Sequence, residues 1–143
     1  MKDIEKAVEL LKEENLALAI VKDGRIILRS TDKGISPLYK ALKEHEAELE
    51  GSSVADRVTG KAAAMICLHA GIKALKTNLI SDNALDVLKE SNIEYEYDER
   101  TPFIENRDRT GMCPVETMSL KTDDINELLN SISEFLEKIK RVN

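Results

Sequence analysis

The stretch Asp56-Arg-Val-Thr-Gly-Lys-Ala-Ala-Ala-Met-Ile-Cys-Leu-His69 decides how the chain reads. Ala62, Ala63 and Ala64 are strong helix formers, and an apolar run follows them, so a helix is predicted to start at Lys61. Gly60 ahead of it lets that helix start pack very close to a neighbouring segment. The first turn of a helix leaves backbone N–H groups without intrahelical partners, and Lys61 stands beside them, a combination suited to an anion. The other reading is a tight packing joint and nothing more. A Walker-type phosphate loop is excluded, because Ala62 follows the lysine and Val54-Ala55 stand where the first glycine would fall.

Upstream, Ile4, Ala7, Val8, Leu10 and Leu11 recur at helical spacing among charged residues, which predicts an amphipathic first helix. Leu16 to Val21 and Arg25 to Arg29 are apolar runs separated by Lys22-Asp-Gly24, a β-hairpin signal. Ser36-Pro37 opens a second helix, with Leu38, Leu42, His45 and Leu49 on one face. Gly51-Ser-Ser53 then breaks the pattern before Val54 to Gly60, to which no element is assigned.

Downstream, Gly71 is a plausible C-cap for the alanine-led helix. Ile72 to Ile80 contains a strand, and Ser81 or Asp82 caps a helix that runs to Asn92. Ile93-Glu-Tyr-Glu-Tyr97 alternates as a strand with one wet face. Residues 98–122 read as one long polar loop. Asp123 or Asp124 caps a last helix carrying Ile125, Leu128, Leu129, Ile132, Phe135, Leu136 and Ile139. Helices alternating with strands predict one domain, a three-layer α/β sandwich with a central sheet, in which strands joined through helices are parallel.

Composition removes several function classes. The chain has 143 residues, 34% of them charged, and a formal net charge of −6, so there is no basic surplus for a nucleic-acid backbone. Aromatics are 3% and tryptophan is absent, which argues against base-stacking platforms. No run approaches the roughly 20 apolar residues of a membrane span. The charged start Met1-Lys-Asp-Ile-Glu-Lys does not read as a secretory signal, and Cys67 and Cys113 fit a reducing cytoplasm.

Candidate chemistry gathers in Asn106-Arg-Asp-Arg-Thr-Gly-Met-Cys-Pro-Val-Glu116. Arg107 and Arg109 can grip phosphate or carboxylate, and Gly111 permits close backbone approach. A solvated surface turn is the alternative. Cys67, His69, His45 and Cys113 are the conceivable zinc ligands, but no Cys-x-x-Cys or His-x-Glu pair is present, and no metal site is expected. Cys113 as a nucleophile lacks a histidine base in its segment. Asp56 is either a turn cap or a pocket carboxylate.

Taken together, Asp56-Arg-Val-Thr-Gly-Lys-Ala-Ala-Ala64, Ser81-Asp-Asn-Ala-Leu85 and the 106–116 segment resemble a prokaryotic family known only as domain of unknown function 1893. The resemblance implies a cytidine deaminase-like sandwich with a mixed sheet. Zinc-dependent deaminases begin two neighbouring helices with His-x-Glu or Cys-x-Glu and with Pro-Cys-x-x-Cys, where zinc activates water and the glutamate shuttles protons. Here the matching positions read Lys61-Ala-Ala63 and Ile80-Ser-Asp-Asn-Ala84. Zinc-dependent deamination is therefore not expected.

What remains is a cleft where two helix starts converge. The expected ligand is a small phosphate-bearing molecule such as an ADP-containing nucleotide or an ADP-ribose-like compound, with no metal and no other cofactor. Gly60 and Lys61 would seat the anion, Arg107 and Arg109 would clamp phosphate, and Asp56, Ser81 and Asn83 would offer polar contacts. Thr110, Gly111, Cys113 and Glu116 would close over it. No catalytic residue is assigned. The alternatives are a group-transfer enzyme using Cys113 or Asp56, and an interaction module with a vestigial pocket, in which the terminal helix pairs with another copy as a homo-oligomer.

Overall fold

A computed structural model of the chain describes residues 1–142. The hairpin forms where the Asp23-Gly24 turn requires it: β1 (Leu18–Lys22) and β2 (Arg25–Ser30) pair antiparallel with Lys22 opposite Arg25. Asp23 and Gly24 both have positive φ, 50° and 77°, the backbone that a two-residue hairpin turn demands. Before it lies α1 (Asp3–Glu13), and after it α2 (Ser36–Leu49). Pro37 stands in the first turn of α2 as expected, but Ile35 rather than Ser36 is the N-cap, and no side chain caps it. The helix breaks at His45 (φ −133°, ψ 30°), whose Nδ1 lies 3.1 Å from Glu48 Oε1.

Two elements lie where the sequence pattern predicts none. Ser53–Thr59 is a strand, β3, and Pro114–Leu120 is a short helix, α5, inside the segment read as loop. The remaining elements are α3 (Lys61–Ala70), β4 (Ala74–Ser81), α4 (Asp82–Lys89), β5 (Glu94–Thr101) and α6 (Ile125–Val142). Gly71 ends α3 in a left-handed cap, φ 75°. Ser81 caps α4 by accepting from the Ala84 N–H, and Asp124 caps α6 by accepting from the Asn126 and Glu127 N–H groups.

The sheet order is β2-β1-β3-β4-β5. β1 is antiparallel to both its neighbours, whereas β3, β4 and β5 are parallel, so the sheet is mixed. The strands joined through helices are parallel, as expected. On one face, among the described residues, α1 is the helix that packs on β1 and β3, burying Ala7, Leu11, Leu16, Ala19, Val21 and Ala55. A larger core on the other face joins the sheet to α2, α3, α4 and α6, with Ile20, Leu49, Ile66, Leu85 and Ile132 sealed from solvent. The apolar stripe of α6 belongs to this core: Leu128 and Ile132 are fully buried, and Ile125, Leu129, Phe135 and Leu136 pack against it.

Candidate functional site

Parallel β3 and β4 end side by side, with Thr59 opposite Ile80. Each then passes straight into a helix, Thr59 through Gly60 to α3 and Ser81 to α4. Two helix starts therefore open at the same edge of the sheet, where unpaired backbone donors and the positive ends of two helix dipoles come together. Glu116 of α5 fills this junction and is only 2% exposed. Its Oε1 accepts from the Lys61 N–H at 2.9 Å and from the Ser81 hydroxyl at 3.3 Å. Its Oε2 accepts from the Ile104 N–H at 2.6 Å. A buried carboxylate is tolerated when donors surround it, and here three donors from three separate segments do so.

Gly60 is required by this arrangement. A Cβ there would lie 3.1 Å from Glu116 Oε1 and 3.2 Å from Ile104 Cγ1. Its backbone is ordinary extended chain, φ −94°, so the need is for space and not for conformation. Glu116 is delivered by a built loop. Glu105 pairs with Met112, the Cys113 N–H donates to the Ile104 carbonyl at 2.8 Å, and Pro114 opens α5.

The Lys61 ammonium donates to Asp123 Oδ1 at 2.8 Å. That hydrogen bond and its charge hold the Asp123 carboxyl below the usual carboxylate range. Asp56 belongs to a neighbouring set of contacts: its Oδ2 accepts from Thr59 Oγ1 at 3.2 Å, and Thr59 Oγ1 lies 2.9 Å from Thr77 Oγ1. Burial of its carboxyl pushes Asp56 up to about 7.

Gly60, Lys61, Ser81 and Glu116 are thus brought together, with the backbone N–H of Lys61 rather than its side chain meeting the anion. The Glu116 side chain itself occupies the place expected for the ligand's anion. Asn83 lies in the first turn of α4, part-buried. Arg107 and Arg109 are exposed at the tip of the loop, Arg109 with a left-handed backbone, φ 57°. Thr110 is held there by the Asn106 side chain, which accepts from its N–H at 3.0 Å and donates to its hydroxyl at 3.1 Å, while Gly111 accepts from the Asn106 N–H. Cys113 is part-buried as the N-cap of α5.

Asn106, Ile104, Thr59 and Thr77 complete these networks and carry no mark in the sequence. Ile104 and Asn106 act through backbone or local turn geometry, and the threonines act across strands. Cys67 is buried in the core, where desolvation pushes its thiol far up and makes it a poor nucleophile. His69 faces Glu46 at 3.9 Å. Among the described residues, no three His, Cys, Asp or Glu side chains gather as a metal-binding group.

The family described as Domain of unknown function (DUF1893) matches residues 6–136. The crystal structure of a DUF1893 family protein from Thermotoga maritima matches with a TM-score of 0.84 and 32% identity, covering 94% of this chain and 90% of that chain. A diaminohydroxyphosphoribosylaminopyrimidine deaminase/5-amino-6-(5-phosphoribosylamino)uracil reductase from Thermotoga maritima matches with a TM-score of 0.46 and 18% identity, covering 67% of this chain and 35% of that chain. RibD from Acinetobacter baumannii gives a TM-score of 0.46 and 18% identity, over 84% of this chain and 36% of that chain. No curated protein matches the sequence. The chain belongs to the DUF1893 family.

Proposed function

We propose that this member of the DUF1893 family binds a phosphate-bearing, nucleotide-like small molecule without zinc, at the junction where α3 and α4 begin. The observation that carries the reading is the environment of Glu116. Its buried carboxylate takes the first free N–H of α3, the Ser81 hydroxyl and the Ile104 N–H, which is the environment of an anion seat. A phosphoryl group offers the same acceptor oxygens with more charge.

Glu116 is then the resident occupant, and a ligand must displace it. Arg107, Arg109 and Glu116 lie on one stretch of chain that leads into α5, so withdrawal of Glu116 moves the arginine loop with it. Lys61 can exchange its present partner for phosphate, because Asp123 is 94% exposed and such a pair is weakly held.

The test is a thermal-shift series on wild type, Glu116→Ala and Lys61→Ala with ADP, ADP-ribose, inorganic phosphate and acetate. Glu116→Ala leaves three donors facing an empty seat and should lose stability by about 1–3 kcal/mol or more. Added phosphate or ADP should restore much of that loss, and Lys61→Ala should weaken ADP binding about tenfold, the effect of roughly 1.4 kcal/mol. If no anion stabilises either wild type or Glu116→Ala, the ligand reading is wrong. The fit of Glu116 in the seat favours one second reading, a closed interaction module whose pocket is permanently filled by its own side chain. Rescue of Glu116→Ala by acetate alone, with wild type indifferent to every nucleotide, would support that instead.

A further inference from the structure

Between the ends of β3 and β4 lies a chain of hydroxyls whose protons can be counted. Asp56 Oδ2 is 3.2 Å from Thr59 Oγ1, Thr59 Oγ1 is 2.9 Å from Thr77 Oγ1, and Thr77 Oγ1 is 3.2 Å from the Leu79 carbonyl oxygen. These are three links, and each needs one proton. The two threonines supply one each, and both are sealed from solvent, at 0% and 1% exposure. The third proton can come only from the carboxyl of Asp56.

We propose that Asp56 is a proton switch between β3 and β4. Protonated, it donates to Thr59, which donates to Thr77, which donates to the Leu79 carbonyl. Ionised, it takes the Thr59 proton for itself, and Thr77 must then abandon either Thr59 or Leu79. One link is lost and the chain reverses direction at Thr59. Both threonines stand one residue or a few from the proposed anion seat, since Thr59 precedes Gly60 and Thr77 lies four before Ser81. Loss of the link therefore loosens the strand ends that carry the seat.

The surrounding charges leave the switch free to act. Lys12 from α1, Arg57 on β3, Lys76 on β4 and Asp98 on β5 line a groove of about 160 Å³ on the α1 face of the sheet, whereas Asp56, the register partner of Leu18 and Thr77, turns to the other face, where Cys67 of α3 lies. None of the cations is committed to Asp56. Lys76 Nζ donates to Asp98 at 2.7 Å. The Arg57 guanidinium is occupied by the Leu16 and Leu11 carbonyls and the Asn15 side chain. Cys67 is held as the neutral thiol by burial and by Asp56 itself. No cation among the described residues bonds to Asp56, so desolvation decides, and it pushes Asp56 up to about 7 against the opposing pull of the Val58, Thr59 and Arg57 donors.

The sign of the pH effect follows. The folded form holds the proton more tightly than the unfolded chain, where an aspartate titrates near 3.9. The stability this contributes is complete below about pH 4 and is lost as pH rises to about 7, after which it is constant. The experiment measures melting temperature from about pH 5 to 8 for wild type and Asp56→Asn, with an infrared titration of the carboxyl band. The amide of Asp56→Asn can accept from Val58 and donate to Thr59, reproducing the protonated state. Wild type should lose several degrees over that range, whereas Asp56→Asn should lack this loss and exceed wild type at the upper end. A protonated carboxyl band that disappears near neutral pH, and is missing from Asp56→Asn, completes the support. A wild-type carboxyl that titrates only in the ordinary carboxylate range overturns the proposal, and this result does not depend on whether the variant folds. An unchanged pH profile in a folded Asp56→Asn overturns it equally. Neither readout involves a ligand, so the switch stands or falls apart from the anion site.

Discussion

Gly60 and Glu116 are best understood as one contact. The glycine has an unstrained backbone, so alanine there costs only what displacing Glu116 Oε1 and Ile104 Cγ1 costs. Gly60→Ala should destabilise the fold by about 1–3 kcal/mol, the usual range for overpacking. In a Glu116→Ala background the same change should cost markedly less, because the nearest obstructing atom is gone and contacting sites are not additive. Chemical denaturation of the two single variants and the double variant checks this; equal costs in both backgrounds would mean that Ile104 alone sets the limit. The sequence pointed to Gly60, Lys61, Ser81 and Glu116 by their chemistry, but the resident anion was not legible. Glu116 meets donors 55, 35 and 12 positions away, and nothing local marks an acidic side chain as the partner of a distant backbone amide. The same holds for Lys61 and Asp123, which are 62 positions apart.

Elements were legible where they announced themselves by period or by turn chemistry. α1, the hairpin, α4 and α6 each carry an apolar stripe, an Asp-Gly turn or a cap. β3 carries none of these signals. Asp56 and Arg57 interrupt its apolar run, and it is a strand because β1 and β4 pair with it on both sides, a tertiary cause. α5 has seven residues, too few to show a helical period, and exists because it delivers Val115 to the core and Glu116 to the seat. α6 provides the test at this scale. Ile132→Ala empties a fully buried position and should cost about 2–5 kcal/mol. Ile139, 39% exposed on the same helix, should tolerate alanine within about 0.5 kcal/mol. If urea denaturation showed comparable losses at both positions, Ile139 would have to be covered by something in solution, and the sequence expectation of pairing through this helix would return.

At the scale of the molecule the two faces of the sheet are secured by different means. The Glu116 junction and the larger core lie with α2 to α6, whereas α1 covers the opposite face and is tied at both ends. At its start, Asp3 accepts from the Asp23 and Gly24 N–H groups at 2.8 and 2.9 Å, and Lys6 Nζ donates to the Gly24 carbonyl at 2.6 Å. At its end, Arg57 donates to the Leu11 carbonyl at 3.2 Å and to the Leu16 carbonyl at 2.8 Å, where a cation also suits the negative end of the helix dipole. Arg57→Ala removes the Arg57 donor from the part-buried Leu16 carbonyl, while the Leu11 carbonyl keeps the Leu16 N–H at 2.9 Å, and should cost about 1–3 kcal/mol, with faster amide exchange in α1. Lys6→Ala, on the exposed surface, should cost under about 1 kcal/mol. Arg57 and Glu116 share no hydrogen-bond partner, so the double variant Arg57→Ala, Glu116→Ala should equal the sum of the single losses within about 0.5 kcal/mol. The acetate or phosphate rescue of Glu116→Ala should also be undiminished in that background. Strong coupling between the two would instead mean that β3, which leads from Arg57 into the turn at Gly60, transmits the grip on α1 to the anion seat, and that the third layer helps to shape the site.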